Sequence, residues 1–158
     1  AMGATMTTYA GQNVGAGKVD RVGRGMKACC IIGAVYSAAA FVVLYFFGEQ
    51  VSLLFVDAAE QEILHNSWLF LTINAAFYLL LALVNIVRFT IQGMGYSAIA
   101  ILAGVFEMAA RTLAGTLVVS MIGFMGVCMA NDLAWIFADA FLIPVFFVLY
   151  RRAKKKYQ

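Results

Sequence analysis

The chain has 158 residues, of which 64% are apolar and 12% charged, and its mean hydropathy is +0.90. Soluble domains lie near half apolar and a quarter charged, so this balance excludes a soluble enzyme, a secreted disulfide scaffold and a nucleic-acid binder. What it predicts is an all-α polytopic transmembrane helical bundle with the lipid bilayer as its solvent; at about 20 apolar residues per span, four or five spans fit.

Residues 1–10 are small and weakly polar, without the basic start and long apolar middle of a signal peptide, and read as the end of a helix that begins upstream. Residues 11–27 carry Lys18, Asp20, Arg21, Arg24 and Lys27 and read as a polar loop. Residues 28–48 are free of charge and form the first expected span. Residues 49–62 are an acidic connector whose short apolar run, Val51 to Val56, reads as a helix lying in the membrane interface.

A second span is expected over 66–87, followed by a loop built on Gly93-Met94-Gly95. The third covers 98–120, and Gly123 and Gly126 mark a turn over 121–131. The fourth covers 132–150, before a basic tail at 151–158. With short connectors, ten of the eleven basic residues fall on one side of the membrane, and only Arg111 lies within it. Lys and Arg mark the cytoplasmic side, so residues 11–27 and the tail are expected there.

Few residues offer chemistry. Cys29 and Cys30 are adjacent, Cys128 is remote and His65 is the single histidine, so neither a metal site nor a cofactor is indicated. No nucleophile–base pair marks an enzyme. The stretch Gly11 to Lys18 fails as a phosphate loop, because Gln12 stands where a glycine is required and Val19 where a serine or threonine is. Glu107 and Arg111 are four apart on one helix face and read as a mutual pair, which either locks helices together or contacts substrate or protons.

Asp139 lies mid-span with no basic residue within four positions. It is either a cavity-facing proton or cation site or a carboxylate bonded to a neighbouring helix. Asn74 and Asn85 are polar positions of the second span that bond across helices or line a cavity. His65 reads as interfacial, and Trp135 and Tyr150 as interfacial anchors of the last span.

Three motifs point further. Ala10 to Lys18, with Gln12, Asn13, Gly15, Ala16 and Gly17, followed by Asp20-Arg21, resembles the cytoplasmic loop signature of the multidrug and toxic compound extrusion (MATE) transporters. Arg88 with Gln92-Gly93-Met94-Gly95 resembles the loop before that family's eleventh helix, and Glu107 with Arg111 resembles the acidic-basic pair inside that helix. The resemblance implies twelve helices in two six-helix lobes around a central cavity, with protons or sodium exchanged for cationic or amphiphilic drugs or metabolites.

By resemblance this chain is the end of helix eight and helices nine to twelve, a C-terminal part that needs the N-terminal lobe as partner and is inactive alone. A cation-site aspartate found on the tenth helix of some members has no counterpart, since Trp68 to Val87 carries no acid. The implied location is a bacterial inner (plasma) membrane. Two other readings compete: a lipid-linked oligosaccharide flippase of related architecture, which calls for more cavity basic residues than Arg111, and a non-transporting truncated membrane protein.

Overall fold

A computed structural model describes residues 2–57 and 59–157, apart from the side chain of Tyr157. Ala1, Ala58 and Gln158, which fall in the expected helix end, connector and tail, lie outside the described residues. The chain runs α1 (Met2–Gly15), α2 (Val19–Ser52), α3 (Gln61–Ala76), α4 (Tyr78–Gly93), α5 (Ser97–Leu113), a π-helical segment (Ala114–Val118), α6 (Val119–Ile122) and α7 (Phe124–Tyr157). Among the described residues, three helical runs are long and apolar enough to cross a membrane, and α3 with α4, bent by 50°, make a fourth if taken as one span. The molecule is an all-α membrane helical bundle.

The helices run longer than the charge pattern suggests. Residues 11–27 are not a loop: α1 continues to Gly15 and α2 starts at Val19, leaving only Ala16–Lys18 between them. Val19 and Val22 are buried and Met26 packs on the core, so apolar positions at helical spacing run through the charged stretch. The basic side chains Arg21, Arg24 and Lys27 take the exposed face. Val51 to Val56 is not an interfacial helix either; Val51 and Ser52 close α2, and Leu53 to Phe55 form a turn.

The last span begins at Phe124 rather than residue 132, and the reversal expected over 121–131 is made at Gly123, which has φ 59°. Gly126 lies inside α7 with its Cα against the π segment: a Cβ there would come within 2.7 Å of the Val118 carbonyl oxygen. Trp135 is 6% exposed and belongs to the core instead of anchoring an interface. Pro144 sits inside α7, where it removes one backbone donor.

Helix α4 lies at the centre, packed by α1, α2, α5 and α7. Its Val84, Val87 and Ile91 meet Ala138, Leu142 and Trp135 of α7 in the main core. Lipid supplies no hydrophobic drive between helices, so close approach through small residues matters more. Helix α2 accordingly buries Gly33, Ser37, Gly48 and Ser52; Gly33 faces Ala82 and Ile86 of α4, and Gly48 faces Trp68 of α3. The large apolar side chains Tyr36, Phe46, Ile101, Met108 and Phe137 point outward, as a lipid-solvated surface requires.

Candidate functional site

Polar groups inside the bundle gather where α4, α5 and α7 meet. Glu107 of α5 accepts a hydrogen bond from Arg111 Nη2, one turn along its own helix, at 3.0 Å. Its other oxygen accepts from Nη2 of Arg88 on α4. The expected Glu107–Arg111 pair is therefore a triad with Arg88, a residue that the sequence placed in the loop motif. Arg88 is inside α4, five residues before its last residue Gly93. The Glu107 side chain is 16% exposed and Arg88 21%, against 49% for Arg111, so the pairing between helices is the enclosed one.

A second feature runs along α7. Cys128, Asp132, Trp135, Ala138, Asp139 and Leu142 are buried and recur at helical spacing on the face turned to α4 and α3. Among the described residues, neither the carboxyl of Asp132 nor that of Asp139 has a hydrogen-bond partner, although the two residues are only 1% and 5% exposed. Asp139 is not bonded to a neighbouring helix among the described residues; two residues on, Phe141 packs its ring 5.2 Å from that of Phe106, the neighbour of Glu107 on α5. Asp132 is the first residue of the span expected over 132–150, a place where a charge is ordinary, whereas the helix begins at Phe124 and encloses it. The signal was there: Asp132 and Asp139 are seven apart, two turns on one face.

Asn74 ties α3 to α7. Its Nδ2 donates to the Phe70 carbonyl at 2.9 Å and to the Cys128 carbonyl at 3.3 Å, and its Oδ1 accepts from Asn131 Nδ2 at 3.3 Å. It sits one turn before the bend at Phe77. Asn85 instead bonds back to the Leu81 carbonyl of its own helix, at 2.8 Å, and lines a cleft of about 800 Å³ between α1, α2 and α4. Among the described residues, no three His, Cys, Asp or Glu side chains converge to hold a metal ion.

The loop motifs turn out to be one device used twice. At the end of α1 the Lys18 amide donates to the Asn13 carbonyl and the Gly17 amide to the Val14 carbonyl. At the end of α4 the Tyr96 amide donates to Ile91 and the Gly95 amide to Gln92. Both are Schellman closures, with Gly17 at φ 69° and Gly95 at φ 95° in the left-handed position that glycine favours. Asn13 bonds back to the Tyr9 carbonyl, and the Tyr9 hydroxyl donates to the Arg21 carbonyl, bracing α1 on α2. Gln12, Gly15, Ala16, Arg21, Gln92 and Gly95 are exposed.

Gly93 has a different task. A Cβ on it would lie 2.3 Å from the Thr7 carbonyl oxygen of α1, and one on Gly11 would lie 3.2 Å from the Gly93 carbonyl oxygen. The two motifs thus press against each other, α1 on α4, with Thr7 Oγ1 donating to the Phe89 carbonyl at 3.1 Å. At the same end of the bundle, Lys154 of α7 pairs with Asp20 of α2 at 2.8 Å.

No curated protein and no solved structure matches the chain. A family model does: residues 1–112 match MatE. The match takes in both Schellman turns, the Gly93 contact and the Glu107 triad, and the family is one of polytopic membrane transporters, not enzymes. By that match over more than half its length, the chain belongs to the MatE family.

Proposed function

We propose that this chain works as part of a secondary active antiporter, exporting cationic or amphiphilic drugs or metabolites in exchange for protons or sodium. Membership of the MatE family supports transport in general. The observation that carries the finer reading is Asp139: a residue 5% exposed in the middle of a membrane helix, whose carboxyl has no hydrogen-bond partner among the described residues. An intramembrane carboxylate is costly and marks a proton or cation pathway. Glu107 with its arginines supplies the polar surroundings of that site, and Asn74 is a second polar point, bonded to α7 two to three turns away at Cys128 and Asn131.

Alternating access rocks two bodies around a midplane site. These helices pack around one centre, α4, so the activity is assigned to this bundle together with the family's other lobe. The bacterial inner-membrane location follows from the same reading, with Ala16–Lys18 and the basic end of α7 on the cytoplasmic side. That orientation is supported by the Lys154–Asp20 pair, which joins two basic helix ends.

The test uses the chain in lipid nanodiscs titrated with a lipophilic cation, with the fluorescence of Trp135, one turn from Asp139 on α7, as the signal. Asp139→Asn is expected to weaken binding about tenfold, the equivalent of about 1.4 kcal/mol. Unchanged affinity would remove Asp139 from the site. In liposomes, the chain alone is expected to move no substrate, and efflux by it would refute the need for a second lobe.

A further inference from the structure

Charges at the centre of the bundle are matched in number but not in position. At the level where α5 meets α7 there are two carboxyls, Glu107 and Asp139, and two guanidinium groups, Arg88 and Arg111, with the buried Asp132 two turns further along α7. Both guanidinium groups sit on Glu107, while Asp139 has neither. Arg111 alone already serves Glu107, one turn away at 3.0 Å. Arg88 has donor capacity to spare, because its Nε is buried without a partner.

The two carboxyls are also level with each other. The rings of Phe106 and Phe141 lie 5.2 Å apart, so the turn of α5 bearing Glu107 lies beside the turn of α7 bearing Asp139. Arg88, bonded to Glu107, brings its guanidinium group to that same turn of α5. An ionised carboxylate at such a place needs a counter-charge, so the arrangement seen suits an Asp139 that carries a proton.

We propose that Arg88 is a shared positioning residue: it holds Glu107 while Asp139 is protonated, and turns to Asp139 when the proton leaves. In that step the Asp139 O–H bond breaks, its electron pair stays on the carboxylate, and the proton passes to water in the transport pathway. Arg88 keeps its protons and replaces a hydrogen bond to Glu107 with one to Asp139, and Arg111 stays on Glu107. The cluster passes from one net positive charge to none. The enclosed tie of α4 then moves from α5 to α7, which gives the loss of a proton a mechanical result.

The titratable or charged groups facing Asp139 are Cys30 from α2, Arg88 from α4 and Glu107 from α5, with Asp132 two turns away on its own helix. Helix α3 turns the uncharged Asn74 toward α7, its Glu62 and His65 being exposed at the other end. The inference rests on the reading of Asp139 as the coupling carboxyl.

The experiment follows two signals on the full chain in nanodiscs across a pH titration. Infrared difference spectra report the Asp139 carboxyl, assigned by its absence in Asp139→Asn. Nitrogen-15 NMR reports the Arg88 Nε–H, assigned by its absence in Arg88→Lys. The expected result is that both titrate with one midpoint, that Asp139→Asn loses the Arg88 shift, and that Cys30→Ser leaves both. Asp139→Glu keeps a titrating carboxyl, so both midpoints are expected to move together. If the carboxyl titrates while the Arg88 resonance stays fixed, the exchange is overturned and the reading of Asp139 stands. If no band assigned to Asp139 titrates, that reading falls and the exchange falls with it.

Discussion

Gly93→Ala places one methyl group where α1 and α4 are closest. Its Cβ would stand 2.3 Å from the Thr7 carbonyl oxygen, 2.9 Å from the Thr7 Cα and 3.0 Å from the Ala10 Cβ. Two of these are backbone atoms, which cannot swing aside, so the helices must part by about an ångström to restore contact distance. Overpacking of this kind costs about 1–3 kcal/mol. Parting also stretches the Thr7–Phe89 hydrogen bond, now 3.1 Å, worth about 1 kcal/mol.

The sum is a loss of about 2–4 kcal/mol. Gly15→Ala is the matched control, since a Cβ there meets nothing within 4 Å; it relieves the helix of a glycine and is expected to stabilise by up to about 1 kcal/mol. Reversible unfolding of both variants in mixed detergent micelles reads the difference. A Gly93→Ala protein as stable as the parent would refute the packing of α1 on α4.

In the same unfolding assay Glu107→Gln is expected to cost more than Arg111→Gln, because it strands the enclosed Arg88 as well as the half-exposed Arg111; the reverse order would argue against the triad. Gly17→Ala and Gly95→Ala each force a side chain into a left-handed backbone and are expected to cost about 1–2 kcal/mol, with faster protease nicking at the altered turn. The Lys154–Asp20 pair holds Lys154 above its ordinary value, mainly through the hydrogen bond to Asp20. Its contribution is present at neutral pH and lost as pH rises through that raised value; salt and Asp20→Asn are expected to free the end of α7 in the same way, as read by limited proteolysis. Tail protection that is indifferent to both would dismiss the clasp.

The helical class, the approximate spans and the gathering of basic ends were legible because apolar runs and Lys/Arg bias act over many residues at once. Boundaries were not, for a local reason. Residues such as Val19, Val22 and Met26 carry a helical apolar stripe between charged neighbours, and the charges masked it. Around Gly123, two glycines suggested a broad turn, yet only Gly123 takes a positive φ while Gly126 serves close packing.

The site divides in the same way. Glu107 and Arg111, four apart, were readable as a pair, whereas Arg88 is nineteen residues from Glu107 and no sequence pattern joins them. Asp139 stands out as a charge in an apolar run. Asp132 does not, because the apolar run that follows it makes it look like the edge of a span, while α7 begins eight residues earlier at Phe124. The bend at Phe77 has no proline or glycine to announce it.

The two Schellman turns also decide where the molecule can flex. Each joins its helices through three residues locked by paired hydrogen bonds, so α1–α2 and α4–α5 behave as stiff links with closed joints at one end. Motion must then be taken up within the helices: at Phe77, where the α3–α4 run is already bent by 50°, and at the π segment 114–118, where the hydrogen-bond ladder of the α5–α6 run changes pitch. Both joints lie beyond the Arg88–Glu107 tie, counted from the locked end. Mechanically, the arms are stiff from the locked end as far as that tie and jointed past it.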